Sequence, residues 1–174
     1  MNKSSILTRL ESPDDQAAIE TLQQAVFGPG AYARAAFRVR EQAPHDPDLS
    51  FVTAVDGELV ASVRQTPIEI GGRIGLLLGP LIVDPRFKNL GYGKALLRRG
   101  VDAARDARWR FVLLVGDEPY YGPFGFRPVA AGSVQMPGPV DPARLLVCEL
   151  VEGEGARLAG LVRGIFPAAR RGAA

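Results

Sequence analysis

The segment from Val83 to Lys94 combines residue types that bind phosphate groups. It leaves an apolar run and enters an amphipathic stretch through Gly91 and Gly93. The first backbone N–H groups of a helix have no partner within the helix, and the helix adds a partial positive charge there. Glycines let phosphates approach the backbone closely, and Lys88 and Lys94 add charge of matching sign. The segment is therefore a candidate phosphate-binding loop.

Two common nucleotide-binding motifs do not fit this loop. A dinucleotide-binding fingerprint would need glycine or alanine where the sequence has Leu96. A P-loop would need glycine in place of Lys88 and serine or threonine in place of Ala95. A plain turn followed by a helix, with no ligand, has the same local sequence, so the loop alone leaves that reading open.

The dipeptide Gly79-Pro80 interrupts the apolar run over residues 75–85. Proline cannot donate a hydrogen bond to a neighbouring strand, and glycine has no side chain to pack. Within a strand, the pair predicts a bulge or a local separation of strands. The alternative is that the strand simply ends there.

The elements around this loop predict an α+β fold, a single domain over residues 1–174 with a C-terminal extension over 151–174. Asp56-Gly57 predicts a hairpin between strands over 50–56 and 58–65. An apolar strand, a helix over 91–108 and a second apolar strand over 110–116 form a crossover unit, which implies a parallel pair in a mostly antiparallel sheet. The other predicted elements are strands over 5–10, 68–70, 74–78, 126–130 and 144–151, helices from the start signal at Ser12 to Phe27 and over 31–42, and a short helix or turn over 119–124.

Composition excludes several classes of protein. One cysteine, Cys148, cannot form an internal disulfide, and one histidine, His45, cannot build a typical zinc site, so no metal is expected. A net charge of +2 is too weak for a nucleic-acid-binding surface. No apolar stretch approaches the roughly 20 residues of a membrane span, and the N-terminus does not resemble a signal peptide. We therefore expect a cytoplasmic protein with no nucleic-acid or membrane partner.

Two motifs together resemble the GNAT acetyltransferase superfamily. Leu81–Pro85 and Lys88–Gly93 are similar to its motif A, [QR]-x-x-G-x-[GA] after the lead-in L-x-V-x-P. Tyr121, four residues before Gly125-Phe126, is similar to the tyrosine that follows the family's next strand. The segments LLLGPLIVDP and LLVGDEPYYGPFGF resemble the YhbS-like group of bacterial acetyltransferases. Lys88 departs from the usual Gln or Arg, and it keeps the charge but loses the fork geometry of arginine.

The resemblance implies both a fold and a reaction. The fold is GNAT-like, with a mixed, mostly antiparallel sheet, a V-shaped splay at its parallel pair and helices on both faces. The reaction is direct transfer of an acetyl or other acyl group from acetyl-CoA, as cosubstrate, to a primary amine of a small molecule or protein. The chain would then be an acyl-CoA-dependent N-acyltransferase, and a homodimer is compatible with this reading.

The cofactor-binding residues follow from the same resemblance. The pyrophosphate is expected on the amides of the loop and the pantetheine along the free edge of the preceding strand, where a backbone N–H near Ile82 would donate to the thioester oxygen. The expected set is Leu81, Ile82, Val83, Lys88, Asn89, Leu90, Gly91, Tyr92, Gly93 and Lys94.

Tyr121 is the candidate catalytic residue, because a neutral tyrosine can donate a proton to the leaving thiolate. Its neighbour Tyr120 is expected to be a packing aromatic. No general base is identified. Its candidates are Asp117, Glu118, His45, Asp46 and Asp48, while Arg64 is expected either to bind an acidic substrate or to pair with a carboxylate.

Two other functions remain open. A non-catalytic acyl-CoA-binding or interaction module would fit Lys88 and the missing base. A nucleotide-binding protein is a weaker alternative, because both nucleotide motifs fail.

Overall fold

The computed structural model describes residues 4–30 and 34–166 of the chain. The strands are β1 (Ile6–Leu10), β2 (Phe51–Val55), β3 (Glu58–Ile70), β4 (Arg73–Val83), β5 (Phe111–Val115), β6 (Phe126–Pro128), β7 (Val134–Gln135), β8 (Leu145–Glu149) and β9 (Gly160–Gly164). The helices are α1 (Gln16–Phe27), α2 (Ala35–Arg40), α3 (Tyr92–Asp106) and α4 (Glu118–Tyr121). Residues 31–33 of the predicted second helix and 167–174 of the predicted extension lie outside the described residues.

The sheet has the mixed character that the sequence predicted. Its strands follow the order β1-β2-β3-β4-β5-β8-β6, and neighbours along this path are antiparallel except β4 and β5. The parallel pair is short, because only Leu76 with Val112 and Leu77 with Leu113 are in register. Strand β4 continues to Val83 and β5 to Val115, so the two strands separate beyond this pairing. This is the predicted splay.

The Gly79-Pro80 dipeptide coincides with a β-bulge on the other edge of β4. Val63 of β3 is paired with Leu81, whereas Gln65 is paired with Leu78, so two residues of β4 oppose one of β3. An extra residue in one strand bends it and increases its twist. The predicted bulge and the predicted separation of strands therefore occur at the same place, on opposite edges of β4.

Strand β3 is one continuous strand, and the prediction of separate strands over 58–65 and 68–70 was wrong. Pro67 lies in its middle, paired with Leu76. The carbonyl of Pro67 accepts a hydrogen bond from Ile165 N at 3.0 Å, so the nitrogen of Pro67 also faces that edge and away from β4. Proline is tolerated where no neighbouring strand needs its missing N–H.

Helices cover both faces of the sheet. On one face, α3 buries a stripe that includes Leu97 and Val101 against residues of β3, β4 and β5. On the other face, α2 contributes Ala35, Ala36 and Val39 to a second apolar cluster. Among the residues that the structure describes, no helix has the length and apolar character of a membrane span.

The second helix and the C-terminal part differ from the predicted elements. Within the described residues, helix α2 covers Ala35–Arg40 and ends two residues before the predicted end at 42, because the backbone turns after Arg40. The predicted extension contains β9, which pairs with β3 through Ile68–Ile70 and with β7. Glu154, fully buried, holds this part to the sheet by ion pairs of 2.6 Å with Arg73 and 2.8 Å with Arg110.

Leu97 provides a test of the α3 face. Its side chain is fully buried, so Leu97→Ala removes apolar contacts and leaves a cavity, which we expect to lower the free energy of unfolding by about 2–5 kcal/mol. Leu90→Ala is the matched control, because Leu90 is 62% exposed and its loss is expected to change stability by less than about 0.5 kcal/mol. Equal effects of the two variants in urea unfolding would contradict the packing described here.

Candidate active site

A cavity of about 990 Å³ opens where β4 and β5 separate. Its walls are the second half of β4, the loop and first turn leading into α3, the end of β5, and α4, while α1 and α2 supply residues from the other side. Nine of the sequence-predicted site residues line it: Leu81, Val83, Lys88, Asn89, Gly91, Tyr92, Gly93, Lys94 and Tyr121.

Two predicted residues, Ile82 and Leu90, do not contribute side chains to this cavity. The Ile82 side chain is fully buried, and that of Leu90 is 62% exposed. The backbone of Ile82 is also directed elsewhere. Asp84 N donates to Val60 O at 2.8 Å, and because N–H directions alternate along a strand, Ile82 N–H faces β3 as well. The N–H groups of Leu81 and Val83 are the ones that face the separated edge.

The start of α3 presents free backbone donors to the cavity. The first bond within the helix runs from Ala95 N to Gly91 O at 2.9 Å, so the amides of Tyr92, Gly93 and Lys94 precede the intrahelical pattern. Gly91 caps the helix with a φ of 90°, a left-handed conformation that favours glycine. The geometry is that of a helix N-terminus open to an anion.

Gly93 is needed for space. A Cβ atom at this position would lie 3.0 Å from Tyr120 Oη and 3.2 Å from Val83 Cγ2. The absent side chain brings the first turn of α3 close to β4 and to Tyr120. The loop, the strand edge and the aromatic pair of α4 therefore form one continuous wall.

Tyr121 lies in α4, the short helix that follows β5, and its side chain also lines the cavity. Its ring makes edge contacts with Tyr120 at 4.8 Å and with Phe126 at 6.0 Å between centroids. Any side chain on Gly116 would collide with this ring. Burial, with smaller contributions from Tyr120 and Asp117, raises the pKa of Tyr121 to about 12. Its hydroxyl is therefore protonated at neutral pH and carries a proton that it can donate.

Tyr120 has a larger place in the site than the sequence suggested. It lines the cavity, and its hydroxyl is the group beside Gly93. Burial raises the pKa of this hydroxyl as well. The repeated Tyr-Tyr at the end of a short helix was the available signal, because successive residues of a helix point in different directions and both can reach one concave surface.

Only one of the candidate bases, Asp117, lines the cavity. Its backbone carbonyl accepts from the amides of Tyr120 and Tyr121, and its carboxylate pairs with Arg144 at 3.0 Å. It thus holds α4 in place and is already occupied by a cation. Glu118 is exposed and lies outside the cavity wall.

The other candidate bases, His45, Asp46 and Asp48, lie outside the cavity wall. His45 lies 3.1 Å from the carboxylate of Glu11, which also accepts a hydrogen bond from Arg64 at 2.6 Å. Burial opposes ionisation of Glu11, but the hydrogen bonds from His45 and Arg64 lower its pKa overall. Arg64 therefore takes the second of its two predicted roles, pairing with a carboxylate. Asp46 accepts from Asp48 N at 3.0 Å and shapes its own loop.

Sequence reasoning missed Arg40, which the structure places in the cavity wall. It is the last residue of α2 and lies four positions after the buried Ala36, so it falls on the apolar stripe of that helix. A charged residue on such a stripe was the signal that could have identified it.

The sequence pattern of the acetyltransferase (GNAT) family matches residues 16–122, which include β4, the loop and α4. The chain belongs to the GNAT family. It is 26% identical over 159 residues to the uncharacterized N-acetyltransferase YhbS of Escherichia coli K12, covering 90% of this chain and 95% of that one. It is 27% identical over 129 residues to the uncharacterized N-acetyltransferase YjhQ of the same strain, covering 72% and 71% of the two chains.

Solved GNAT structures share the fold. The crystal structure of E. coli YhbS in complex with CoA superimposes with a TM-score of 0.76 at 24% identity, over 95% of this chain and 92% of that one. A GNAT acetyltransferase from Brucella melitensis in complex with acetyl-CoA gives a TM-score of 0.59 at 29% identity, over 82% and 94%. The resemblance stated from the sequence, the GNAT-like fold and the assignment as an acyl-CoA-dependent N-acyltransferase are confirmed.

The protonation state of Tyr121 can be measured directly. We expect the phenolate absorbance of the native protein, compared with that of Tyr121→Phe, to show no contribution from Tyr121 until the pH nears its pKa of about 12. In denaturant, the same comparison should return the ordinary tyrosine pKa of about 10. A Tyr121 phenolate in the native protein at pH 10 would show that the hydroxyl is not desolvated as described.

Proposed function

We propose that this GNAT protein transfers an acetyl group from acetyl-CoA to the primary amine of an acceptor bound in the same cavity. One observation carries the proposal: the free amides of the α3 start, the unpaired edge of β4 and a protonated Tyr121 all face one cavity. We place the reaction in the cytoplasm, where acetyl-CoA is made and used. The homodimer stays a prediction.

The residues of the cavity fit a CoA thioester. The amides of Tyr92, Gly93 and Lys94 suit the pyrophosphate, with Lys88 and Lys94 adding positive charge. The separated edge of β4, with Leu81 and Val83 N–H, suits the extended pantetheine, which would pair with it as an added strand does. Acetyl-CoA supplies an activated acetyl group as a thioester.

A backbone N–H of β4 and the hydroxyl of Tyr121 then stabilise the charge that develops and supply a proton. Leu81 N–H, the free donor of β4 nearer the strand separation, donates to the thioester oxygen as negative charge develops there. Tyr121 holds a proton within the same cavity and donates it to the sulfur as the carbon–sulfur bond breaks, while the attacking nitrogen loses its remaining extra proton to water and Tyr121 regains one from water. The CoA thiolate leaves more readily than the amine, because a thiol has a pKa of only about 8.5. A single proton donor is therefore sufficient to assist its departure.

The acceptor amine loses its proton to water rather than to a dedicated side chain. An alkylamine has a pKa about three units above neutral, which costs about 4 kcal/mol to deprotonate. The carboxylates of the cavity wall, Asp117 and Asp141, already bind Arg144 and Ala143 N. An acceptor of low basicity reduces this cost, and it is the class that we expect to react fastest.

Gly91→Glu tests the phosphate-binding role of the α3 start. The variant adds bulk and negative charge beside the free amides, and we expect it to abolish acetyl-CoA binding in calorimetry. Gly57→Glu is the matched control, because Gly57 also has a left-handed φ, of 85°, and open space around it, but it lies in the β2–β3 turn. Normal acetyl-CoA binding by Gly91→Glu would exclude this site for the phosphates.

Tyr121→Phe separates catalysis from binding. The ring stays in its contacts with Tyr120 and Phe126, and only the proton donor is lost. We expect turnover, followed as thiol release over a panel of amines, to fall by about 10²-fold or more, with little change in acetyl-CoA affinity.

Unchanged turnover in Tyr121→Phe would contradict its role as proton donor. Acetyl-CoA binding without turnover of any amine by the wild-type protein would instead support the non-catalytic acyl-CoA-binding module.

A further inference from the structure

Arg40 places its guanidinium at the point where β4 and β5 separate. A Cβ atom on Gly79 would lie 2.7 Å from Arg40 Nη2, so the absent side chain of Gly79 makes the room that the guanidinium occupies. Gly79 has a φ of 125°, which other residues rarely adopt. Gly79, which lies in the bulge of β4, thus also leaves the space in which Arg40 packs against the strand.

No protein group neutralises this arginine among the residues that the structure describes. Arg40 Nε is buried without a hydrogen-bond partner, and no described carboxylate forms an ion pair with the side chain. Burial, with smaller contributions from the positive charges of Arg34 and Arg64, lowers the pKa of Arg40 to about 10. A buried cation without a partner is unfavourable, so a bound anion would be strongly attracted.

The two carboxylates among the described residues that line the cavity, Asp117 and Asp141, are engaged by other groups. Asp117 pairs with Arg144, and Asp141 accepts a hydrogen bond from the amide of Ala143. Outside the cavity wall, Glu11 pairs with Arg64. Arg34, the other arginine on this wall, lies over the ring of Phe27 at 4.6 Å. The anion that Arg40 would bind therefore comes from a ligand.

The position of Arg40 distinguishes it from the phosphate-binding groups. Val83, next to Gly93, marks the phosphate end of β4. Gly79 lies four residues earlier along the strand, or about 13 Å away at 3.3 Å per residue. The lysines of the loop are at the phosphate end, beside Val83. Arg40 is at the other end, beside Gly79, where the acyl group and the acceptor would meet.

We propose that Arg40 binds a carboxylate of the acceptor, and that the acceptor is a small amine carrying such a carboxylate, that is, an amino acid or a close relative. The inference rests on the proposed acetyltransferase function. The planar guanidinium can donate two parallel hydrogen bonds to a carboxylate, which fixes both the position and the orientation of the bound molecule. Anchoring the carboxylate beside the strand separation brings the amine of the same molecule toward the thioester.

Binding of reaction products to the CoA-loaded protein tests this proposal. The ligands are a series of N-acetylated amino acids, each compared with its uncharged carboxamide, and affinities are measured by calorimetry. We expect the best acids to bind about 10- to 100-fold more tightly than their amides, the range of a hydrogen bond to a charged group. In turnover, free amino acids should exceed their amides in kcat/KM by a similar factor, even though the amides are the less basic amines.

Three variants test whether Arg40 is the residue that binds the carboxylate. Arg40→Gln should reduce the acid-to-amide ratio to about one while leaving CoA affinity unchanged, and Arg40→Lys should recover part of it. Arg38→Gln is the matched control, because Arg38 is on the same helix but donates to Pro137 O and lies outside the cavity wall. It should keep the wild-type ratio.

The outcomes separate this inference from the proposed function. Failure of the wild-type protein to bind CoA would overturn the acetyltransferase assignment. CoA binding with equal affinities for acids and amides would overturn the carboxylate site alone. A loss of CoA affinity in Arg40→Gln, with the acid-to-amide ratio retained, would assign Arg40 to the cofactor instead.

Discussion

The separation of β4 from β5 is the constraint on which the rest of the site depends. Buried backbone N–H and C=O groups must find partners, and β4 loses its partner strand on one edge after Leu77. The bulge at Gly79-Pro80 on the other edge bends the strand at the same point. An extended ligand that pairs with the free edge satisfies these groups. The start of α3, the aromatic pair of α4 and Arg40 are all placed around that edge, at its two ends.

Much of this arrangement could be predicted because its signals are local. Asp56-Gly57 turns a hairpin, the helix after Gly91 returns the chain to a parallel strand, and Gly79-Pro80 weakens the sheet, whatever the rest of the chain does. Pro67 misled the prediction because its effect depends on which edge its nitrogen faces, and only the sheet decides that. Strand β9 was missed because its partners, in β3 and β7, are distant in sequence or very short.

The candidate site divides in the same way. The proposed cofactor half is one continuous motif, so its candidate residues between Leu81 and Lys94 could be predicted from the sequence. The proposed acceptor half is assembled from α2, β4 and α4, which meet only in the folded chain. Arg40 contacts the region of Gly79, which is 39 positions away in sequence, and no local pattern around either residue predicts this contact. The sequence predicted that Gly79 contributes to a bulge or a separation of strands. In the fold, its missing side chain also leaves room for the guanidinium of Arg40.

A crystal structure of the protein with acetyl-CoA tests the central claim most directly. The account predicts the pyrophosphate oxygens within about 3 Å of the amide nitrogens at the start of α3, and the pantetheine paired with Leu81 and Val83 along the free edge of β4. It also predicts the thioester at the strand separation, with Tyr121 beside the sulfur. Phosphates bound away from the α3 start, or a pantetheine outside the separated strands, would contradict it.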